Sequence, residues 1–234
     1  VSPSLLDVTA VRKFLSRRLL CQVATSRRAI ALTFDDGPHP RHTPWLLDML
    51  AAKGISATFF VVGRRVRRHR EILARASAAG HEIGNHGNRH VPLSLLPSGL
   101  IARELMVCGD LVQETIGTRP HFMRPPMGWI NDRVLRVSRE LGFEPVIGSI
   151  HPRDSRQPGL PVILGRLRAR IEPGAIIILH DGGWRLEASR QQTLQAVDIL
   201  TDELLAAGYA FPTLSELVAS ADNSPAHQAG QDHP

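Results

Sequence analysis

Short apolar runs alternate with amphipathic segments along most of the chain, and glycine or proline punctuates nearly every junction. Residues 29–34 predict a buried strand, and Thr43 as N-cap with Pro44 in the first turn predicts a helix that ends at Gly54. Residues 57–62, rich in β-branched and aromatic side chains, predict the next strand; residues 65–79 predict a helix closed by Gly80, and 81–85 a short strand. The pattern then repeats: helix 100–116, strand 121–123, helix 131–141, strand 145–150, helix 162–171, strand 175–179, helix 191–207 and a last strand at 209–211. About seven such strand-then-helix units predict an α/β fold whose parallel strands form a closed or nearly closed barrel with helices outside.

The two ends differ from this rhythm. Leu5, Val8, Val11, Leu15 and Leu19 recur at helical spacing opposite Arg12, Lys13 and Arg17, so residues 1–26 are expected to hold an amphipathic helix and a linker. That helix suits either the outside of the domain or a membrane surface. Residues 27–217 are expected to form one catalytic domain and the polar residues 218–234 a disordered tail.

Charge adds one expectation. Lys and Arg number 28 against 22 Asp and Glu, a net charge of +6, with clusters at 12–18, 27–28 and 64–70. Such clusters fit an anionic partner or merely solvated helix faces, and no nucleic-acid-binding signature accompanies them. Cys21 and Cys108 are too few for a disulfide scaffold or thiolate cluster and are expected to be buried. No apolar run is long enough to span a membrane. The charges at Arg12 to Arg18 also break up any signal-peptide core, so either the protein is not exported this way or an upstream part is missing.

Candidate chemistry lies just after the predicted strands, where parallel-barrel loops converge on one face. Asp35-Asp36-Gly37-Pro38 places two acids side by side, which folding tolerates when a cation or hydrogen bonds compensate and which otherwise reads as a capped turn. His86 and His90 are four apart, the spacing of one side of a helical turn, and with one carboxylate they supply three ligands to a metal and leave positions open. In Arg124-Pro125-Pro126-Met127-Gly128-Trp129 the prolines stiffen a loop that offers an arginine for a carboxylate and an indole for a sugar ring. His151-Pro152-Arg153-Asp154 and Leu179-His180-Asp181 add a histidine and nearby acids for proton transfer. A site of nitrogen and oxygen donors suits a divalent transition metal.

These five segments, in this order, resemble the polysaccharide deacetylase family, also called the NodB-homology or carbohydrate esterase family four, over residues 28–217. The resemblance implies a distorted (β/α) barrel and hydrolysis of the N-acetyl group of an amino sugar in a peptidoglycan-like or chitin-like glycan. It assigns Asp35 as general base, Asp36, His86 and His90 as metal ligands, Arg124 as the residue that orients the base, His180 as general acid and Asp154 as its partner. Substrate contacts are expected from Pro126, Met127, Trp129 and Leu179, with an oxyanion donor at the backbone N–H of Met127 or a neighbour. Zinc is the usual metal, with cobalt, manganese or nickel as substitutes, and the cell envelope or exterior the usual place of action.

Gly87, Met127, His151 and Ser155 depart from the family's pattern, which bears on the substrate more than on the reaction. Two other readings stand beside this one. A lipid-linked sugar carrying a formyl or acetyl group is suggested by the basic amphipathic N-terminus, and a non-catalytic carbohydrate binder is disfavoured by the presence of both Asp35 and His180.

Overall fold

The computed structural model describes residues 19–183 and 189–221. Six parallel strands form one sheet in the order β5-β4-β3-β2-β1-β6, with β1 at Ala31–Gly37, β2 at Thr58–Val61, β3 at Glu82–Asn85, β4 at Phe122–Met123, β5 at Glu144–Pro145 and β6 at Ile176–His180. Helices α1 (His42–Lys53), α2 (Gly63–Val66), α3 (Arg70–Ala78), α4 (Ser98–Ile116), α5 (Asp132–Glu140), α6 (Leu160–Arg168), α7 (Gln191–Ala206) and α8 (Leu214–Ala221) follow in chain order.

The expected (β/α) barrel is present but built from six strands. The stretch predicted as strand 145–150 pairs with β4 only at its start, while Ile150 bridges to Ile177 of β6, so one irregular segment brings the two sheet edges together. Gly148, at φ 106°, allows that crossing: a Cβ there would lie 2.8 Å from Ile178 Cγ1 and 3.0 Å from the Ile176 carbonyl oxygen. Residues 209–211 contribute a single bridge, Ala29 to Ala210, in place of a seventh strand.

Strand alternation gives β1, β2 and β6 two packed faces. Leu32 and Phe34 of β1, Phe59 and Val61 of β2, and Ile177 and Leu179 of β6 face the helices in the main cluster. Ala31, Phe60 and Ile176 face inward, where a smaller cluster is closed by Val23, Leu214 and Leu217. Burying each Val, Leu, Ile or Phe side chain among them is worth roughly 1.5–3 kcal/mol.

Several local expectations are corrected. Thr43 lies inside α1, and the N-terminal amides of Arg41 and His42 are instead accepted by His39 Nδ1, at 3.2 Å each. The single helix expected over 65–79 is two, α2 and α3, separated at 67–69. Leu19 is buried without helical structure, Leu20 bridges to Val146, and Gln22 bridges to Ala175, so residues 19–23 belong to the barrel and not to a linker. Helix α8 carries the folded chain to Ala221, past the boundary drawn at residue 217, because Val218 and Ala221 continue its apolar face. The amphipathic helix and membrane-surface contact expected of residues 1–26 otherwise fall on residues 1–18, outside the described residues. Cys108 is buried, donating to the Val61 carbonyl at 3.3 Å and pushed up to about 12 by burial, whereas Cys21 is only half-buried. Among the described residues no helix is long and apolar enough to cross a membrane.

Gly174 and Gly208 share a φ of 77° but differ in surroundings, because a Cβ on Gly174 would collide with the Val23 carbonyl oxygen and one on Gly208 would meet nothing within 4 Å. Gly208→Ala should therefore cost about 1 kcal/mol for the left-handed backbone alone, and Gly174→Ala at least about 3 kcal/mol. Urea denaturation of the two variants measures the difference, and equal losses would show that the contact of residues 19–23 with the barrel carries no stability.

Candidate active site

The loops at the C-terminal ends of β1, β3, β4 and β6 meet around a cavity of about 640 Å³ lined by Asp35, Asp36, His86, His90, Arg124 and His180. Neighbouring residues of a strand ordinarily point to opposite faces, yet Asp35 and Asp36 both reach this cavity. The cause is a bulge: pairing of β1 with β2 slips between Asp35 and Gly37, and Asp36 adopts a left-handed φ of 76°. Arg65 of α2 holds the bulge by donating from Nη1 to the Asp36 carbonyl at 2.6 Å and from Nη2 to the Gly183 carbonyl. Asp181, buried beneath Gly37, accepts from Thr43 Oγ1 and is pushed up to about 6 by burial.

The histidine pair is supplied by the loop after β3. It is not a helical turn: Gly87 (φ 74°) and His90 (φ 58°) are left-handed, and these two reversals curl both rings onto Asp36. His90 Nε2 lies 2.9 Å and His86 Nε2 3.6 Å from Asp36 Oδ1. A left-handed φ accounts for glycine at residue 87, since the space around it would admit a Cβ. Glu104 of α4, buried, anchors the loop by accepting from Asn88 N at 3.1 Å, Arg89 N at 2.8 Å and Arg89 Nε at 2.6 Å.

His86 Nδ1 lies 2.8 Å from the Arg124 carbonyl. The carbonyl can only accept, so Nδ1 carries the proton and the Nε2 lone pair is turned toward Asp36 and His90. One ligand atom from each of Asp36, His86 and His90 lies within 4.8 Å of the others, a carboxylate and imidazole donor set that fits a divalent transition metal. Burial alone would raise the Asp36 carboxyl, but the adjoining imidazoles of His86 and His90, with His180 beyond, outweigh it and hold the group well below the usual carboxylate range.

Arg124 is buried at 2 % exposure with its guanidinium 4.1 Å from the Phe60 ring centroid. Its Nη1 donates to Asp35 Oδ1 and to Thr33 Oγ1, both at 2.7 Å, so the inner face of β1 carries the arginine and its carboxylate together. On the other side His180 Nδ1 lies 2.9 Å from Asp154 Oδ1, while Asp154 Oδ2 accepts from His180 N at 3.0 Å and Thr193 Oγ1 at 2.9 Å. Burial alone would lower His180; the Asp154 charge and hydrogen bond, with Asp36 and Asp35 beyond, push it up to about 9. His151, Asp154 and His180 also lie close enough to share an ion, but Asp154 is already committed to His180 and Thr193.

Most of the residues expected at the site therefore meet, and the substrate-contact set divides. Met127 and Trp129 stand at the cavity rim, 46 % and 53 % exposed. Pro126 is buried behind them, and Leu179 is fully buried among the helices, because it alternates with Ile178 and His180; Ile178 takes the lining position on this wall. Arg65, Glu104 and Thr193 were not anticipated, because their adjacency to the motifs in space leaves no periodicity in sequence. Asp181, expected as an acid near His180, instead packs beneath Gly37 and accepts from Thr43 Oγ1.

A cation-ready triad beside a carboxylate–arginine pair and an acid-held imidazolium, gathered at the strand ends of a parallel barrel, belongs to the metal-dependent α/β hydrolases. The profile of the polysaccharide deacetylase family matches residues 22–146. A peptidoglycan-N-acetylglucosamine deacetylase of Bacillus cereus is 36% identical over 199 residues, covering 84% of this chain and 91% of the relative. A chitooligosaccharide deacetylase of a Bradyrhizobium species is 37% identical over 199 residues, covering 81% and 90%. A solved peptidoglycan N-acetylglucosamine deacetylase, in complex with 4-naphthalen-1-yl-N-oxidanyl-benzamide, superposes with a TM-score of 0.82 at 26% identity, covering 88% of this chain and 95% of that one. The chain belongs to the polysaccharide deacetylase family, whose members are metal-dependent hydrolases.

The raised His180 makes stability depend on pH. An unfolded histidine loses its proton near 6.5, whereas folded His180 keeps it to about 9, so between these values the folded state binds more protons and stability falls as pH rises. In chelator-treated protein the urea midpoint should decline from pH 6.5 to 9 and should stay nearly level in Asp154→Asn. The same slope in both proteins would remove Asp154 as the source of the shift.

Proposed function

We propose that this chain removes the N-acetyl group from an amino sugar of an envelope or extracellular glycan of the peptidoglycan or chitin type, using zinc held by Asp36, His86 and His90. Cobalt, manganese and nickel are competent substitutes by the same donor chemistry. The observation that carries the reading is the convergence of those three ligand atoms while Asp35, one residue away, is drawn off by Arg124.

A bound divalent cation supplies Lewis-acid polarisation of the acyl carbonyl and lowers the pKa of water from that of bulk to about 7. Asp35 accepts the proton of the attacking water, and its bond to Arg124 Nη1 fixes the orientation of its free oxygen. His180 donates a proton to the departing amine nitrogen. Because Asp154 takes the Nδ1–H, the transferable proton is on Nε2. Trp129 and Met127 offer the sugar a half-exposed apolar rim.

A pure binder would have no use for a carboxylate and an imidazolium aimed at one cavity, which argues for turnover. The substrates in the names of the relatives, peptidoglycan N-acetylglucosamine and chitooligosaccharide, support an amino sugar.

Asp35→Asn should keep about one zinc per chain and lose roughly 10²–10⁴-fold in acetate release from a chitooligosaccharide. His86→Ala should lose both metal and turnover. Elemental analysis after dialysis, paired with acetate release, checks the pair; full metal content in His86→Ala would overturn the ligand assignment.

A further inference from the structure

Beyond His151 the catalytic cavity continues into a second groove of about 520 Å³, lined by His151, Arg153, Gly165, Arg166, Ala169 and Arg170. The two cavities share His151 and Arg170. Three guanidiniums line the second one and no acid does. Arg153, Arg166 and Arg170 make no ion pair among the described residues, in contrast to Arg70, Arg75, Arg136 and Arg168, which each pair with a carboxylate. Glu172 lines a different groove, which shares Ala169 and Arg170 with this one.

The groove is built by the same elements that build the site. The turn at Asp154–Arg156 begins at Arg153 (φ 61°) and is followed by Gln157 (φ 53°), two left-handed residues that fold it over the buried Asp154. Arg190 Nη1 braces the turn through the Ser155 carbonyl at 3.2 Å, and Arg166 Nη1 braces the approach through the Pro152 carbonyl at 2.9 Å. Positive charge is therefore concentrated on a pinned backbone, where like charges raise the energy of the empty groove and an anion relieves it. The His151 ring centroid lies 5.7 Å from that of His180, so a group in the groove belongs to a unit flanking the sugar that reacts.

We propose that Arg153, Arg166 and Arg170 seat an acidic group of the glycan, a carboxylate or a phosphate, next to the sugar that is deacetylated. The proposal rests on the deacetylase reading for the direction of the substrate, and it makes the preferred glycan an acidic one.

The test uses the zinc-loaded chain and the Arg153→Gln variant, whose residue lines the second groove and not the catalytic cavity. Three probes are compared by calorimetry at low salt: a neutral chitooligosaccharide, an oligosaccharide alternating N-acetylglucosamine with a uronic acid, and an N-acetylglucosamine oligosaccharide bearing a phosphodiester. The native chain should bind at least one acidic probe about tenfold more tightly than the neutral one, the stronger of the two naming the anion. The variant should lose most of that preference and leave neutral binding and neutral turnover within about twofold. Equal affinity for all three probes, or equal weakening of all three in the variant, would overturn the proposal. Acetate release in the same preparations separates the two readings: turnover without acid preference removes the groove and leaves the deacetylase, and acid preference without any turnover does the reverse.

Discussion

Two carboxylates on consecutive residues, both buried, are the constraint around which the site is organised. Asp35 and Asp36 are 4 % and 6 % exposed, and like charges held near each other out of water repel more strongly than they do in solvent. The fold answers by giving each acid a different counter-charge. Arg124, buried against Phe60, takes Asp35; His86 and His90, with the cation they fit, take Asp36. Chemistry then follows from the separation, since one carboxylate is a ligand and its neighbour is free to move a proton.

The bulge at Asp36 makes this division possible, and its supports reach well into the fold. Arg65 holds its carbonyl, Asp181 packs beneath Gly37, and Thr43 ties Asp181 to α1. Removing any of these would leave a buried polar group without its partner, a cost of about 1–3 kcal/mol per neutral group and more for a charge. The inner face of β1 acts in the same sense, stacking Ala31, Thr33 and Asp35 so that Thr33 Oγ1 receives Arg124 below the carboxylate. The residues that define the reaction are thus few, while those that hold them at the required spacing come from nearly every element of the barrel.

How much of this was legible depended on whether the signal was local. Strand-then-helix order, helix ends at Gly54 and Gly117, and the motif residues could be read because each lies in a short window. The histidine pair was identified for a partly wrong reason: four-residue spacing suggested a helical turn, and left-handed Gly87 and His90 bring the rings together instead. Leu179 was misplaced because a motif names consecutive residues and a strand splits them between two faces. Pro126 was misplaced because its loop turns at Met127, φ 61°, putting the rim one residue later. Glu104 is 15 and 16 residues from the amides it holds, Arg65 is 29 from Asp36 and Thr193 is 39 from Asp154, and nothing in their own windows marks them.

Charge shows the same limit in a sharper form. The arginine cluster at 64–70 fitted an anionic partner or solvated helix faces, yet Arg65 is buried on two carbonyls and Arg70 pairs with Glu114. Arg153, Arg166 and Arg170 are spread through the sequence among other arginines and become a patch only when the turn after β5 folds against α6. Their field also bears on the grouping of His151, Asp154 and His180, which has the spacing of a metal site. A cation there would sit among guanidiniums and compete with the proton that Asp154 already stabilises on His180, so the surroundings that raise His180 to about 9 favour a proton over a metal. The two groupings of similar geometry are separated in function by the charges around them: carboxylate and neutral imidazole donors on one side, arginines and an imidazolium on the other.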